Sequence, residues 1–175
     1  MQSILAGIID GQCQMDSKIK APLSYMLGEL VCNIREHAES TICYIFSQVL
    51  DGCINLCIAD TGITIYGSYV RTQKFIDSIQ DEADALRRAC EGYSTKERPQ
   101  AENRGFGIST TQNLLVNGLG GAFFMLSGGA FHRYDENGAK YVNLPDSFSW
   151  DGTVILLRIP SRVPENFEFY KYIEQ

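Results

Sequence analysis

The sequence predicts an α/β protein, and three observations predict it. Residues 20–39 carry apolar and polar stripes at helical spacing. Residues 41–59 hold two β-rich runs separated by Asp51-Gly52, a pair that favours a tight hairpin. From residue 122 onward short β-rich runs alternate with glycine and Asp/Asn turns, so the last third reads as sheet.

The length of 175 residues suits one domain with a real core, spanning residues 1–175 with its centre at about 20–160. The chain is 45% hydrophobic and 21% charged, ordinary for a globular protein. A net charge of −6 argues against broad attraction to nucleic acid or an anionic membrane. Six cysteines (Cys13, Cys32, Cys43, Cys53, Cys57 and Cys90) include no Cys-x-x-Cys pair, and the expectation is buried free thiols in a cytoplasmic protein. No run is apolar enough, over enough residues, to span a bilayer.

Taken in order, residues 3–9 are a short apolar stretch, an edge strand or the end of a helix, and the abrupt start suits a piece of a longer protein. Pro22 fits the first turn of a helix running to about residue 39. In it Leu23, Leu27, Leu30 and Ile34 face a core, while Glu29, Asn33 and His37 line a neighbouring stripe at steps of four. Glu29 has the chemistry of a general base, and Asn33 offers an oxygen to a hard cation such as Mg²⁺. A solvated helix face gives the same spacing. The second strand, 53–59, ends in Asp60-Thr61-Gly62, a carboxylate followed by a glycine that permits close backbone approach.

Residues 63–104 are the least regular. Residues 78–92 read as a helix with Ile79, Ala83, Leu86 and Cys90 on one side and Gly92 as its stop. The polar stretch 93–104 reads as a mobile loop, and residues from about Tyr66 to Arg104 are expected to form a lid over a ligand. Gly105-Phe106-Gly107-Ile108 opens a helix to about residue 117, and such glycines expose backbone N–H groups to phosphate. Strands follow at 122–127, 130–134, 140–144 and 152–159. The tail after Pro160 has no assignment.

These stretches resemble, in order, the motifs of the GHKL ATPases, the group that includes gyrase B subunits, histidine kinases, mismatch-repair ATPases and anti-sigma-factor kinases. Glu29-x-x-x-Asn33-x-x-x-His37 is similar to the N box, Asp60-x-Gly62 to the first glycine box, Arg104-Gly105-Phe106-Gly107-Ile108 to the second, and Gly152-Thr153 to a late glycine-threonine motif. Gly92-Tyr93-Ser94-Thr95-Lys96 is similar to a lid segment of histidine kinases. The resemblance implies a two-layer α/β sandwich, the Bergerat fold, with a mixed sheet covered on one face by helices and a mobile ATP lid. It implies that Mg-ATP or Mg-ADP is held by Asn33, His37, Asp60, Gly62, Lys96, Arg104, Gly105, Gly107 and Thr153. Asp60 would accept from the adenine amino group, with Gly62 under the ring and Thr153 supporting Asp60 directly or through water. Asn33 would hold the metal, and Glu29 would act as base.

The sequence departs from the pattern at Thr64, where the first box has a glycine, at Asn103, where the second often has one, and at Glu36, where many histidine kinases have a lysine. These departures point to weaker ATP binding. Neither His37 nor His132 lies in a preceding phosphoacceptor helix, so this chain alone is not a complete histidine kinase. Three readings follow. The chain is an ATP-dependent kinase or ATPase acting on a protein partner, a nucleotide-binding switch with little turnover, or a structural domain with an inert pocket. A homodimer is compatible with each.

Overall fold

A computed structural model describes residues 16–40, 42–95 and 107–173. The chain is α/β. Strands β1 (Cys43–Leu50), β2 (Cys53–Asp60), β3 (Ala122–Gly128), β4 (Ala130–Asp135), β5 (Gly138–Asn143) and β6 (Trp150–Pro160) form one six-stranded sheet in the order β1-β2-β6-β3-β4-β5. Every pairing in it is antiparallel, so the expectation of a mixed sheet is corrected. Two local units account for this: the β1–β2 hairpin and the β3–β4–β5 meander. β6 returns between them and pairs with both. The hairpin turn has Asp51 at φ 51° and Gly52 at φ 69°, the paired left-handed conformations that a two-residue turn between twisted strands requires.

Helices α1 (Lys20–Asn33), α2 (Ile65–Thr72), α3 (Glu82–Cys90) and α4 (Gly107–Gln112) accompany the sheet. Alternation along the strands sends Ile54, Leu56 and Ile58, Phe123 and Met125, and Ile155, Leu157 and Ile159 to one face. They pack there with Ile19, Leu23, Met26, Leu27 and Leu30 at the start and along α1, and with Leu86 of α3. Of the expected apolar stripe, Leu23, Leu27 and Leu30 are buried and Ile34 is half-buried. The helix leaves regular α geometry at Ile34–Ala38, a π-helical turn, and stops at Glu39, whose φ is 50°. The last predicted helix likewise passes from α into a π-helical turn at Asn113–Gly118.

Two elements differ from the sequence reading. The stretch after residue 63 contains α2, which the sequence hid because it is only eight residues long and carries Gly67. Its start is fixed by Thr64, whose Oγ1 accepts from the Gly67 N–H at 2.9 Å. The predicted helix over 78–92 is shorter, because Asp81 caps it by accepting from the Asp84 N–H at 2.8 Å, leaving Ile79 in extended backbone. A lid counted from residue 66 would therefore include two helices whose Tyr69, Ala85 and Leu86 are buried. Residues 96–104 of the expected loop, Gly105 and Phe106 after it, and the stretch 3–9 lie outside the described residues. The unassigned tail packs Phe167, Phe169, Tyr172 and Ile173 against the core, with Phe169 edge-on to Tyr25 at 5.9 Å.

The cysteines also need correction. Cys90 is buried, Cys32, Cys53 and Cys57 are half-buried, and Cys43 is exposed, all as free thiols. Cys13 lies outside the described residues. Among the described residues no helix is long and apolar enough to cross a membrane.

Candidate functional site

The ends of α1 and β2 meet above the sheet, and a cavity of about 290 Å³ opens between them, α2, the segment 92–95 and the start of α4. Glu29, Asn33, His37, Asp60, Gly107 and Thr153 all line it, although they come from four separate stretches of chain. Gly62 adjoins it through Asp60. Lys96, Arg104 and Gly105 lie outside the described residues. The volume is close to the lower end of ordinary small-ligand pockets.

Asp60 is 1% exposed at the end of β2. The Gly62 N–H donates to its Oδ1 at 2.9 Å, and the Thr153 N–H also donates to the carboxylate. Burial pushes its pKa above the ordinary carboxylate range, and these two donors pull against that shift. No cation offsets its charge among the described ion pairs. A buried carboxylate lining a cavity in this way favours a ligand that brings a hydrogen-bond donor.

The backbone around Asp60 is tightly specified. Gly152 has φ 113°, and a Cβ there would collide with the Asp60 carbonyl oxygen, so β6 approaches β2 this closely only with glycine. The Trp150 indole N–H donates to that same carbonyl at 2.8 Å. Thr153 supports Asp60 through its backbone; its hydroxyl turns instead to Ser127 Oγ at 3.0 Å. Ser127 was missed in the sequence. Its hydroxyl accepts from the Ile65 N–H at 2.9 Å and lies 3.0 Å from the Gly152 carbonyl, joining α2, β3 and β6. Only its place at the end of a β-rich run, opposite Thr153, could have signalled this.

Gly62 is required for a reason the sequence did not show. A Cβ on it would collide with the Ala38 carbonyl, and the Ile63 N–H donates to that carbonyl at 2.8 Å. The loop after β2 thus docks on the end of α1. Gly107 plays a similar part opposite the other predicted residues. A Cβ there would stand 2.8 Å from Asn33 Nδ2 and 3.2 Å from Glu29 Oε2. The carboxylate and carboxamide are therefore neighbours, one helical turn apart, facing a backbone with no side chain between them. Both can offer oxygen to a hard cation, and Glu29 has room beside it for a water or hydroxyl group. Among the described residues no three of His, Cys, Asp and Glu gather as a metal cluster. A ligand would have to supply most of the oxygens around Mg²⁺.

His37 does more than end the polar stripe. Its Nδ1 lies 3.0 Å from Thr95 Oγ1, which in turn lies 3.0 Å from Ser68 Oγ. The Lys74 ammonium donates to the Thr95 carbonyl at 3.2 Å, and the Tyr69 hydroxyl donates to the Tyr93 carbonyl. One wall of the cavity is thereby tied to α2 and to the end of α1.

No protein-family model matches this chain. No curated protein matches it either.

Proposed function

We propose that the cavity binds an adenine nucleotide with Mg²⁺, as ATP or ADP, in a fold of the Bergerat type, and that the chain is an ATP-dependent kinase or ATPase acting on a protein partner. The observation that carries this reading is Asp60: a buried carboxylate on the cavity wall, held by two backbone N–H groups and with no ion-pair partner among the described residues. The exocyclic amino group of adenine is the donor such a group selects, and guanine presents an acceptor at that position. The neighbouring Glu29 and Asn33, with Gly107 facing them, support a phosphate end at the opposite side of the cavity. Asn33 would hold Mg²⁺, which when bound offsets phosphate charge. Glu29 would orient and deprotonate the attacking water or partner hydroxyl. If turnover is absent with every partner tried, the same site serves as a nucleotide-dependent switch.

Titration calorimetry tests the assignment. ATP should bind more tightly than GTP, and Asp60→Asn should cost about 1.5–3 kcal/mol of ATP affinity, the worth of one hydrogen bond to a charged group. Equal affinity for the two nucleotides, unchanged by the substitution, rejects it.

A further inference from the structure

Asp60 is the last residue of β2, and the ladder that joins β2 to β6 stops one residue before it, at Ala59 paired with Val154. Continuing the register would set Thr153 opposite Asp60. The Asp60 carbonyl is turned toward β6, since a Cβ on Gly152 would collide with it. In a regular antiparallel ladder the Thr153 N–H would donate to that carbonyl. It donates to the Asp60 carboxylate. The carbonyl takes a hydrogen bond from the Trp150 indole N–H, at 2.8 Å.

A break in β6 makes this exchange possible. On its other side β6 pairs with β3, Thr153 opposite Ser127 and Trp150 opposite Gly128, so Asp151 and Gly152 are two extra residues on β6. A bulge of this kind bends the strand and re-aims a side chain. Gly152 takes φ 113° and leaves room for the whole of Asp60, since a Cβ there would also stand 2.8 Å from the carboxylate Oδ1. The bend brings the Trp150 indole back to the end of β2. Trp150 is 37% exposed and does not line the cavity, so its route to a ligand there runs through Asp60.

We propose that Trp150 is a positioning residue for ligand binding: by holding the Asp60 carbonyl, its indole N–H leaves the Thr153 N–H to hold the Asp60 carboxylate at the cavity wall. The inference rests on the reading of Asp60 as the group that selects the ligand. A buried carbonyl needs a donor. Without the indole N–H, the donor opposite it is that of Thr153, and its return to the ladder takes one of two backbone donors from the carboxylate. The Gly62 N–H then holds the carboxylate alone, from the loop side. The carboxylate becomes less firmly oriented and harder to keep charged. Cys43, opposite Asp60 on β1, brings no competing charge, because burial and the Asp60 charge push its thiol up.

Trp150 is the only tryptophan in the chain, so the test can be made at a single atom. Expression with benzothienylalanine in place of tryptophan puts sulfur where the N–H was and alters this side chain alone. Carboxyl carbon NMR of the full chain without ligand, with Asp60 assigned from the spectrum of Asp60→Asn, is the first readout. The Asp60 titration midpoint should lie higher in the sulfur variant than in the parent, because the carboxylate has lost a donor. Calorimetry is the second. ATP affinity should fall about three- to tenfold, as for one ordinary hydrogen bond, and GTP affinity should fall less, so the preference narrows. Trp150→Phe keeps an aromatic ring without the N–H and should behave alike, and far-UV circular dichroism of both variants separates lost positioning from lost fold. An Asp60 midpoint that does not move overturns the proposal, and so does an equal loss of ATP and GTP affinity. A parent chain that binds neither nucleotide rejects the nucleotide reading, and the Asp60 midpoint then judges Trp150 by itself.

Discussion

Glu29 and Asn33 stand one turn apart on α1, both beside Gly107, yet they are assigned different tasks. A carboxamide is neutral and remains an oxygen donor to a cation, whereas a carboxylate can also accept a proton. The catalytic assignment of Glu29 therefore depends on its charge and not on its size. Glu29→Gln keeps the shape and removes the base. It should leave ATP affinity nearly unchanged while lowering turnover, measured as phosphate release or as transfer to a partner, by roughly 10²–10⁴-fold. Equal rates in parent and variant under every condition would make Glu29 a polar helix residue and favour the switch reading. The neighbouring Thr64 shows how a departure from a family pattern can be structural. Where the pattern has glycine, Thr64 caps α2, and a glycine there would lose that hydrogen bond.

At the scale of elements, the site depends on how α2 and the segment 93–95 are tied to the end of α1. Thr95 is buried, and its hydroxyl bridges Ser68 and His37. Thr95→Val is close to isosteric and removes both bonds, taking one hydrogen bond from Ser68 and one from His37. Denaturant unfolding should register a loss of about 1–3 kcal/mol. Amide exchange in residues 92–95 should quicken by a larger factor than in β2. Unchanged exchange would mean that the tie has no hold on this wall. α1, the hairpin, the meander and β6 were legible because each shows a period or a turn signal over many residues. So were Glu29, Asn33, His37 and Asp60, which lie on or at the end of those elements. α2 was not legible, because its one turn signal is a cap whose partner sits three residues on. The Thr95–Ser68 and Ser127–Thr153 pairs were not legible either, since they join residues 27 and 26 positions apart through the fold alone. The mixed sheet expected from the resemblance failed at β6, whose direction no local pattern encodes.

For the whole molecule, a pH-sensitive buried group is His132, fully buried beneath α3 and stacked on Tyr141 at 4.1 Å. Its Nδ1 lies 3.1 Å from the Lys140 carbonyl, so that nitrogen carries the proton. Its Nε2 lies 2.8 Å from the Gln112 amide nitrogen and accepts from it. The neutral ring is satisfied at both ends, and a second proton would face a donor. Burial holds its pKa below 6.5. Burial also pushes the Cys90 thiol up to about 12 and the Tyr141 hydroxyl well above its ordinary range, so neither supplies a compensating negative charge. The unfolded chain binds a proton first as pH falls. The stability from His132 is therefore complete above about pH 6.5 and declines below it. Unfolding free energies measured between about pH 8 and pH 5 should fall more steeply for the parent than for His132→Asn. Parallel slopes would remove His132 from the acid response.

The place of β6 has a consequence for how the protein is made. Its pairings with β2 bridge about a hundred residues, from Cys53–Ala59 to Val154–Pro160. The hairpin and the meander can each form as soon as they leave the ribosome, but no strand joins them until β6 is synthesised. Gly152 and Thr153, which complete the pocket around Asp60, belong to that strand. From the synthesis of Asp60 until that of Thr153, a nascent chain therefore carries the Asp60 carboxylate without its β6 neighbour. The joined sheet and the Gly152–Thr153 side of the cavity arrive together with β6, so a chain truncated before Trp150 has neither.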